Sequence, residues 1–321
     1  MDIGFAIGII VVATLLVLFA VSYILIIFNP FKMPLNIKGK LIRIFGIIGK
    51  VILITLLSLF FIIPIWIVLM ASFSDSVSFM KEGYSFFTTH FSIEGYLYVF
   101  KDPTIIGGLL LSIGVTLLVT VLSVIVNTLA AYVLSEKDLP CHKFLNGLFV
   151  FTMLFSTGMV PIVLVIRTIG IYNQFLALVI PGVINVYNIL LIRNYLYSIP
   201  KSLKEAAIID GCGQIRIFFK VILPVSLPII ATTAMMAFVL KWNSYLDVMY
   251  YISPDNESLR TIQYVIMQML SDFESSTGDG VISKYVVQSA TIIVTMIPLM
   301  CVFPFVQKYF EKGLTLGSVK G

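Results

Sequence analysis

The sequence predicts an all-α membrane protein, because its composition, its apolar runs and the placement of its basic residues agree. Hydrophobic residues make up 59% of the 321 residues and charged residues only 12%, against ~25% charged residues in typical soluble domains. The mean hydropathy is +1.05. Seven apolar runs are long enough to cross ~30 Å of hydrocarbon as helices that rise about 1.5 Å per residue.

The first apolar run covers residues 3–28. A cleaved signal peptide is the alternative, but no basic region precedes the run, and the run exceeds the roughly 7–15 residues of a signal-peptide core. We therefore interpret it as a retained transmembrane helix. Residues 1–45 would then form an extra helix with a basic cytoplasmic linker, and residues 46–321 the main transmembrane domain.

Six further apolar runs follow, separated by loops of very unequal length. They are residues 51–71, 109–134, 144–166, 175–195, 225–252 and 286–306. Pro161 and Pro181 fall inside two of these runs and predict kinks or breaks there. Such kinks can lie beside a translocation pathway or result from ordinary packing. The loop 253–285 has a short amphipathic stretch at 261–270, and can equally be a surface loop or a contact for an external protein.

Basic residues predict the orientation of the spans. Fifteen of the 21 Lys and Arg residues lie on one side of the predicted spans, five lie on the other, and one, Lys241, is left within a span. The fifteen comprise Arg193 and the basic residues of segments 29–50, 135–143, 196–224 and 307–321. Because Lys and Arg are enriched in cytoplasmic loops, we place the amino terminus outside and the carboxyl terminus inside. The small net charge of +5 gives no reason to expect nucleic acid as a partner.

The segment Ser198–Pro228 is the long charged interruption in the second half of the chain. Pro200 suits the first turn of a helix, and Gly211 can take the positive φ that ends one. Three- and four-residue spacings between them predict a short helix with one small-residue face; the face comprises Leu203, Ala206, Ala207 and Asp210. A second short helix should follow, with an apolar stripe of Ile215, Phe218, Phe219 and Ile222. Such a pair of helices suits docking of another protein.

This segment carries a motif that resembles the coupling motif of ABC-importer permeases. The motif is Glu205-Ala206-Ala207, three residues, Gly211, nine residues, Val221, one residue and Leu223-Pro224. Val221 stands where that family usually has Ile, and Cys212 where it often has Ala. A basic cytoplasmic loop would explain the lysines of the segment, but it would not explain this spacing.

The resemblance covers about residues 51–321. It is to the carbohydrate branch of the family, the smaller maltose-type and complex-oligosaccharide permease subunits. The segments that carry it are 51–75, 131–140, 149–161, the Trp-Asn segment 241–247 and the tail 307–321. It implies the type I ABC-importer permease fold with six core transmembrane helices, to which the run 3–28 adds one.

The resemblance implies a transport subunit in a bacterial cell membrane, and not an enzyme. A homologous second permease would share a central pathway with it, two ATPase subunits would dock inside, and an extracytoplasmic binding protein would deliver a carbohydrate, expected to be an oligosaccharide. The chain has no G-x-x-x-x-G-K-[ST] motif, so ATP and Mg would be bound by the ATPases. His90 and His142 lie on opposite predicted sides, and the three cysteines lack metal-ligand spacing, so we expect neither metal nor cofactor.

The residues expected to couple to the ATPase follow the motif. They are Glu205, Ala206, Ala207, Asp210, Gly211, Leu223 and Pro224. The Glu205 carboxylate can pair with a basic or polar group of the ATPase. Because an exposed pair contributes only ~0–1 kcal/mol, we expect its role to be geometric. Asp210 is equally well explained as a plain helix-end residue.

Polar and aromatic residues in the spans are candidates for a pathway for a polyhydroxylated solute. They are Trp242, Asn243, Tyr245, Asp247, Asn185 and Asn188. Aromatic faces suit sugar C–H surfaces and amides suit hydroxyls. The alternative, for these amides and for Asn127, is interhelical hydrogen bonding worth ~0.6 kcal/mol per contact. Lys241 and Asp247 are six residues apart, so on one helix they share no face and need not pair.

Two other functions remain open from the sequence. An ion-coupled secondary transporter with Lys241 and Asp247 as its coupled pair predicts an internal repeat between the two halves of the chain, which is not visible. An ABC permease for a non-sugar solute is the second, since the sugar assignment depends on the resemblance alone.

Overall fold

The computed structural model describes residues 37–136, 138–155, 158–271 and 283–317. The predicted helix at 3–28 lies outside them. Regular structure in the described residues is helical apart from one β-bridge, between Ser74 and Phe91.

The α-helices of the described residues are numbered in chain order. They are α1 Ile37–Ser72, α2 Ser76–Glu82, α3 Glu94–Lys101, α4 Pro103–Ser135, α5 His142–Leu154, α6 Met159–Thr168, α7 Phe175–Val183, α8 Val186–Ser198, α9 Lys201–Ile209, α10 Gln214–Ile217, α11 Leu223–Val225, α12 Leu227–Trp242, α13 Leu246–Tyr251, α14 Ile262–Ser271 and α15 Lys284–Gly317. A π-turn, Phe218–Ile222, joins α10 to α11, and a 3₁₀ turn, Glu257–Leu259, precedes α14.

Four helical segments of the described residues are long and apolar enough to cross a membrane. They are Ile48–Ser72, Pro103–Ser135, Phe175–Ser198 and Lys284–Pro304. Two bent pairs, α5 with α6 and α10–α11 with α12, raise the number to six if each pair is one span. Six is the number of core spans that the sequence predicts. The amphipathic stretch predicted at 261–270 forms α14.

Two predicted spans are interrupted near their prolines, but not at them. α5 ends at Leu154 and α6 begins at Met159, so Pro161 lies in the first turn of a helix, where its missing N–H costs nothing. Pro181 lies inside α7, and the chain leaves the helix three residues later. The side chain of Asn185 then caps α8 by accepting a hydrogen bond from the next turn.

The prediction of a single span over 225–252 is wrong. α12 ends at Trp242 and α13 begins only at Leu246. The Asn243 side-chain amide donates to the backbone oxygen of Val239 at 2.9 Å. The backbone N–H of Asn243 donates to the same oxygen at 3.1 Å. The N–H of Ser244 donates to the oxygen of Lys241, three residues back, so the α-helical pattern ends here.

Helix α4 is the centre of the bundle, and three buried apolar clusters follow one another along it. Ile105 near its start packs in a cluster with Trp242 and Ile262. Val115 and Val119 in its middle pack with α7 and α13. Ala131 and Leu134 near its end pack with α8, α9 and the π-turn. The segment 198–228 is therefore fixed at the Ser135 end of α4.

Candidate functional site

The elbow, as we call residues 198–228, begins with a helix that ends in a complete glycine cap. Gly211 has φ +75°. Its N–H donates to the oxygen of Ile208 and the N–H of Cys212 to the oxygen of Ala207, both at 2.9 Å. This pair of bonds is the Schellman motif, in which the left-handed residue is usually Gly. The turn predicted from Gly211 is confirmed.

The second half of the elbow departs from a regular α-helix. The predicted second helix forms as α10, which runs on into the π-turn Phe218–Ile222. A π-turn joins residues that are five apart in the sequence. Ile217 and Ile222 have this separation, and both are buried in the same apolar cluster. Pro224 follows in the first turn of α11, where it needs no hydrogen-bond partner.

The elbow is packed against the bundle by small and branched apolar side chains. Ala207, Ile217 and Ile222 are buried in one cluster with Leu134 of α4 and Leu196 of α8. Alanine at position 207 has only one methyl group to accommodate, so the backbone of α9 can approach the bundle closely. Displacing α9 would therefore displace the ends of α4 and α8 as well, since interiors packed in this way are not compressible.

Polar contacts link each short helix of the elbow to the end of α4. The Lys204 ammonium donates to both carboxylate oxygens of Glu136, at 2.6 and 2.5 Å. Their side chains are 26% and 33% exposed. On α10, the Gln214 side-chain oxygen accepts from the Tyr132 hydroxyl at 3.4 Å. These links fix the direction of the elbow as well as its position.

A polar network on the neighbouring helices supports the same end of the bundle. The Arg193 guanidinium of α8 donates to the Asn146 side-chain oxygen of α5. His142 Nε2 lies 3.1 Å from the Tyr197 hydroxyl, which donates to the backbone oxygen of Leu134 at 3.3 Å. His142, at the start of α5, therefore has a side-chain partner on α8. A single histidine in a predicted loop gave no signal for this contact, because its partner is 55 residues away.

The outer face of the elbow combines charge with exposed apolar surface. Glu205, Ala206 and Asp210 are exposed, whereas Ala207 is buried. Ile209 is 86% and Ile215 76% exposed. An open concavity of about 750 Å³ lies beside them, lined by Gly211, Gly213, Gln214, Ile215, Arg216, Phe219 and Lys220. An apolar patch with a polar rim is typical of a protein interaction site.

The structure divides the predicted coupling residues between the two faces of the elbow. Glu205, Ala206 and Asp210 face outward, Ala207 faces the bundle, and Gly211 forms the turn between the short helices. Leu223 is half-buried and Pro224 exposed in α11. The coupling role of these residues stays a prediction, because it concerns a contact with another chain.

The predicted pathway residues around the end of α12 have different environments. Trp242 is buried in the first cluster and stacks on Phe238, with ring centroids 6.1 Å apart. Asn243 and Tyr245 are exposed, and Asp247 is half-buried. Within this chain, Trp242 is a core residue. A role of these residues in substrate passage stays a prediction.

The amides near the α7–α8 break form a chain of hydrogen bonds. Asn127 donates to Ser123 at 2.7 Å and accepts from the backbone N–H of Asn185 at 3.2 Å. The Asn185 side chain accepts from the N–H of Asn188 at 3.0 Å. Asn188 is buried, and its side-chain oxygen has no hydrogen-bond partner among the described residues. The bond between Asn127 and Asn185 is an interhelical bond of the kind that the sequence left as the alternative. A part of these residues in a pathway stays a prediction.

Lys241 and Asp247 form an ion pair, which sequence spacing did not predict. Lys241 Nζ lies 2.5 Å from Asp247 Oδ2, and their side chains are 7% and 24% exposed. The three residues between α12 and α13 turn the chain, so a helical spacing rule does not apply. The aliphatic part of the Lys241 side chain lies close to Gly182 of α7. A Cβ added at Gly182 would lie 3.8 Å from Lys241 Cδ and 3.0 Å from Val119. A buried lysine in a span is thereby neutralised within the chain.

Comparison with known proteins gives consistent matches. The family model described as "Binding-protein-dependent transport system inner membrane component" matches residues 140–316. The chain is 38% identical over 265 residues to the polygalacturonan/rhamnogalacturonan transport system permease protein YtcP of Bacillus subtilis, covering 81% of this chain and 93% of the relative. It is 34% identical over 267 residues to Protein LplC of the same organism, covering 81% and 90%.

Two further matches extend the comparison. One is to the arabinooligosaccharides transport system permease protein AraQ of Halalkalibacterium halodurans, at 26% identity over 81% of this chain and 91% of the relative. The other is to a crystal structure of a bacterial ABC transporter involved in the import of the acidic polysaccharide alginate. Its TM-score is 0.77 at 28% identity, with 87% of this chain and 100% of that chain covered.

Proposed function

The chain belongs to the family of binding-protein-dependent transport system inner membrane components, and on that basis we propose that a separate ATPase, docked on the elbow, drives carbohydrate import through it. The chain is the permease subunit of an ABC importer, as the resemblance implied. Its predicted fold, that of a type I ABC-importer permease, is confirmed by the match to the alginate importer.

The geometry of the elbow is the observation that supports the coupling proposal. A partner that held Glu205 and the apolar residues Ile209 and Ile215 would grip a rigid projection. That projection is packed on α4 and α8 and tied to α4 by the Lys204–Glu136 pair. Movement of the partner would then move the ends of two spans. This is how ATP binding and hydrolysis in another chain would open and close a pathway.

The substrate class follows from the relatives. YtcP is named for polygalacturonan and rhamnogalacturonan, AraQ for arabinooligosaccharides, and the structural match for alginate. Each name denotes a carbohydrate built of linked sugar units, so we assign a carbohydrate, and within that class an oligosaccharide, to this chain. An ABC permease for a non-sugar solute is the alternative that a substrate assay would reveal.

The remaining partners are those that the family implies. A homologous second permease would complete the pathway, two ATPase subunits would bind ATP and Mg, and an extracytoplasmic binding protein would deliver the sugar. The amino terminus would lie outside and the carboxyl terminus in the cytoplasm, as the basic residues indicate. The first helix, 3–28, would then cross the membrane before the six core spans.

A test of coupling is to replace Glu205 by Gln and to compare this variant with Asp138→Asn. Both acids are exposed, but Asp138 follows α4 and lies outside the elbow. We expect Glu205→Gln to lose ATP-driven uptake and to retain less ATPase on purification, with the amount of folded permease unchanged. Asp138→Asn should resemble the unmodified chain.

A Glu205→Gln variant that kept both uptake and ATPase binding would contradict the coupling proposal.

The ion-coupled transporter is favoured by one observation, the Lys241–Asp247 pair, and is tested in the same preparation. Uptake into liposomes that contain the permease but no ATPase would support it and would reject the proposed function.

A further inference from the structure

A short aromatic loop follows α2 and is unusually apolar for a connecting segment. The aromatic loop is defined here as residues 84–91, and its rings belong to Tyr84, Phe86, Phe87 and Phe91. Phe87 is 70% and Phe91 72% exposed. Exposed phenylalanines on a loop are costly in water, so the surroundings of this loop need a physical explanation.

The aromatic loop is held against α1. Phe91 forms the β-bridge with Ser74, just beyond the helix end. The Trp66 indole N–H, further back on α1, donates to the backbone oxygen of Phe86 at 2.9 Å. The Trp66 and Phe87 rings meet edge to face with centroids 6.2 Å apart. The loop therefore turns back along the helix rather than extending away from it.

The depth of the contact follows from helix geometry. Trp66 precedes the end of α1 at Ser72 by six residues, or about 9 Å at 1.5 Å per residue. The candidate span Ile48–Ser72 has 25 residues and is about 37 Å long, against ~30 Å of hydrocarbon. A centred span would project about 4 Å at each end, and Phe86 would then lie beside a point roughly 5 Å inside the hydrocarbon boundary.

Three carbonyl oxygens of the aromatic loop have hydrogen-bond partners within the chain. The oxygen of Phe86 accepts from Trp66, and the oxygen of Phe87 from the Ser85 hydroxyl at 2.9 Å. The oxygen of His90 accepts from the N–H of Asp75 at 3.0 Å and from the Thr88 hydroxyl at 3.1 Å. Carbonyl oxygens near lipid need such internal partners because water is absent. The N–H groups from Ser85 to Phe91 donate to no described residue, so the backbone of the loop belongs at the polar interface and its phenylalanine rings reach the lipid.

The surface of α1 continues the same apolar face. None of the most apolar 18-residue stretch of Ile48–Ser72 is buried against the described residues. Trp is enriched where a span meets the interface, because its ring is apolar and its N–H is polar. We propose that the aromatic loop is a membrane anchor, which inserts Phe86 and Phe87 into the lipid leaflet at the Ser72 end of α1.

This anchor would fix the level of α1 in the bilayer. The loop is joined to Ser74 and to Trp66, which both precede α2, so lipid contact would restrain the connection between α1 and α3. The inference depends on the membrane location of the family and not on docking at the elbow. The two can therefore fail separately.

The test is a depth measurement with nitroxide spin labels. Labels are placed singly at Phe87→Cys, Phe91→Cys and Lys81→Cys in a chain whose Cys141, Cys212 and Cys301 are replaced by Ala. The variants are assembled with their partner subunits in lipid nanodiscs. Collision rates with oxygen, which concentrates in lipid, and with a water-soluble nickel chelate are then compared. Lys81 is exposed on α2 and is the aqueous control.

We expect the oxygen-to-nickel ratio to be severalfold higher at position 87 than at position 81, with position 91 between them. A ratio at 87 equal to that at 81 would place the loop in water and overturn the proposal. Protection of position 87 from both reagents would overturn it as well, because it would show that another protein subunit covers the loop. Uptake by the labelled complexes shows that assembly is intact.

Discussion

Lys204 and Lys241 each hold a carboxylate oxygen at 2.5 Å, in surroundings that differ strongly. Lys204 on the elbow pairs with Glu136, 68 residues earlier in the sequence, and both side chains are partly exposed. Lys241 pairs with Asp247 only six residues away, across the break between α12 and α13, and only 7% of its side chain is exposed. The same kind of ion pair thus joins elements distant in sequence at the elbow, and joins two successive helices across a short break at Lys241.

The difference indicates what each pair contributes. A partly exposed pair competes with water and contributes ~0–1 kcal/mol, so its value at the elbow is the fixed distance between α9 and α4. A charge inside a span has no water to return to, so its partner is needed for neutrality. Breaking a buried pair by removing one member costs ~3–5 kcal/mol. Similar geometry therefore predicts unequal effects of mutation.

The largest effect is expected from Lys241→Met. It removes the ammonium and leaves the Asp247 carboxylate without its partner, which should destabilise the permease by ~3–5 kcal/mol. The midpoint of thermal unfolding in detergent should fall, and less folded protein should be recovered from membranes.

The matched control is the double variant Lys241→Met with Asp247→Leu. Replacing both members by apolar residues is often close to neutral, so the double variant should be more stable than either single one. A Lys241→Met variant as stable as the unmodified chain would show that the pair does not neutralise a buried charge.

The elbow was predictable because its signals are local. Pro200, the small residues of α9 and the positive φ of Gly211 follow from short-range rules of helix formation. The structure places α9 at Lys201–Ile209 with the turn at Gly211. The packing of Ala207 and the partner of Lys204 were not predictable, since Leu134 and Glu136 lie about 70 residues earlier in the sequence.

The Lys241–Asp247 region failed as a prediction for a different reason. An apolar run over 225–252 favours one continuous helix. On such a helix, the six-residue spacing places Lys241 and Asp247 on different faces. At the break, the Asn243 side chain bonds to the oxygen of Val239 and Trp242 packs in the core. Hydrophobic periodicity contains neither of these.

A smaller effect, confined to the elbow, is expected from Gly211→Ala. The residue has φ +75°, and no atom of the described residues lies within 4 Å of an added Cβ. The cost is therefore in the backbone, roughly 1–2 kcal/mol for an L-residue in this region. It should open the turn between α9 and α10, so we expect weaker ATPase binding in a pull-down with no loss of folded permease.

The control for this change is Gly211→Asn. Asn tolerates the left-handed conformation better than Ala does, so it should restore much of the ATPase binding. Equal binding by the Ala and Asn variants would show that the conformation of Gly211 is not what presents the elbow to its partner.

The smallest effect on stability is expected at the elbow pair. Lys204→Glu places two carboxylates together between α9 and α4, but both side chains reach water, so the unfolding free energy should change by about 1 kcal/mol or less. Uptake should fall further than stability does, because the pair sets the distance between the elbow and a span.

The exchanged pair, Lys204→Glu with Glu136→Lys, should recover uptake per ATP hydrolysed, since it restores the link with reversed polarity. High salt should weaken both forms of the link, because exposed charges are screened. Loss of uptake that the exchanged pair does not recover would mean that Lys204 contacts the ATPase itself.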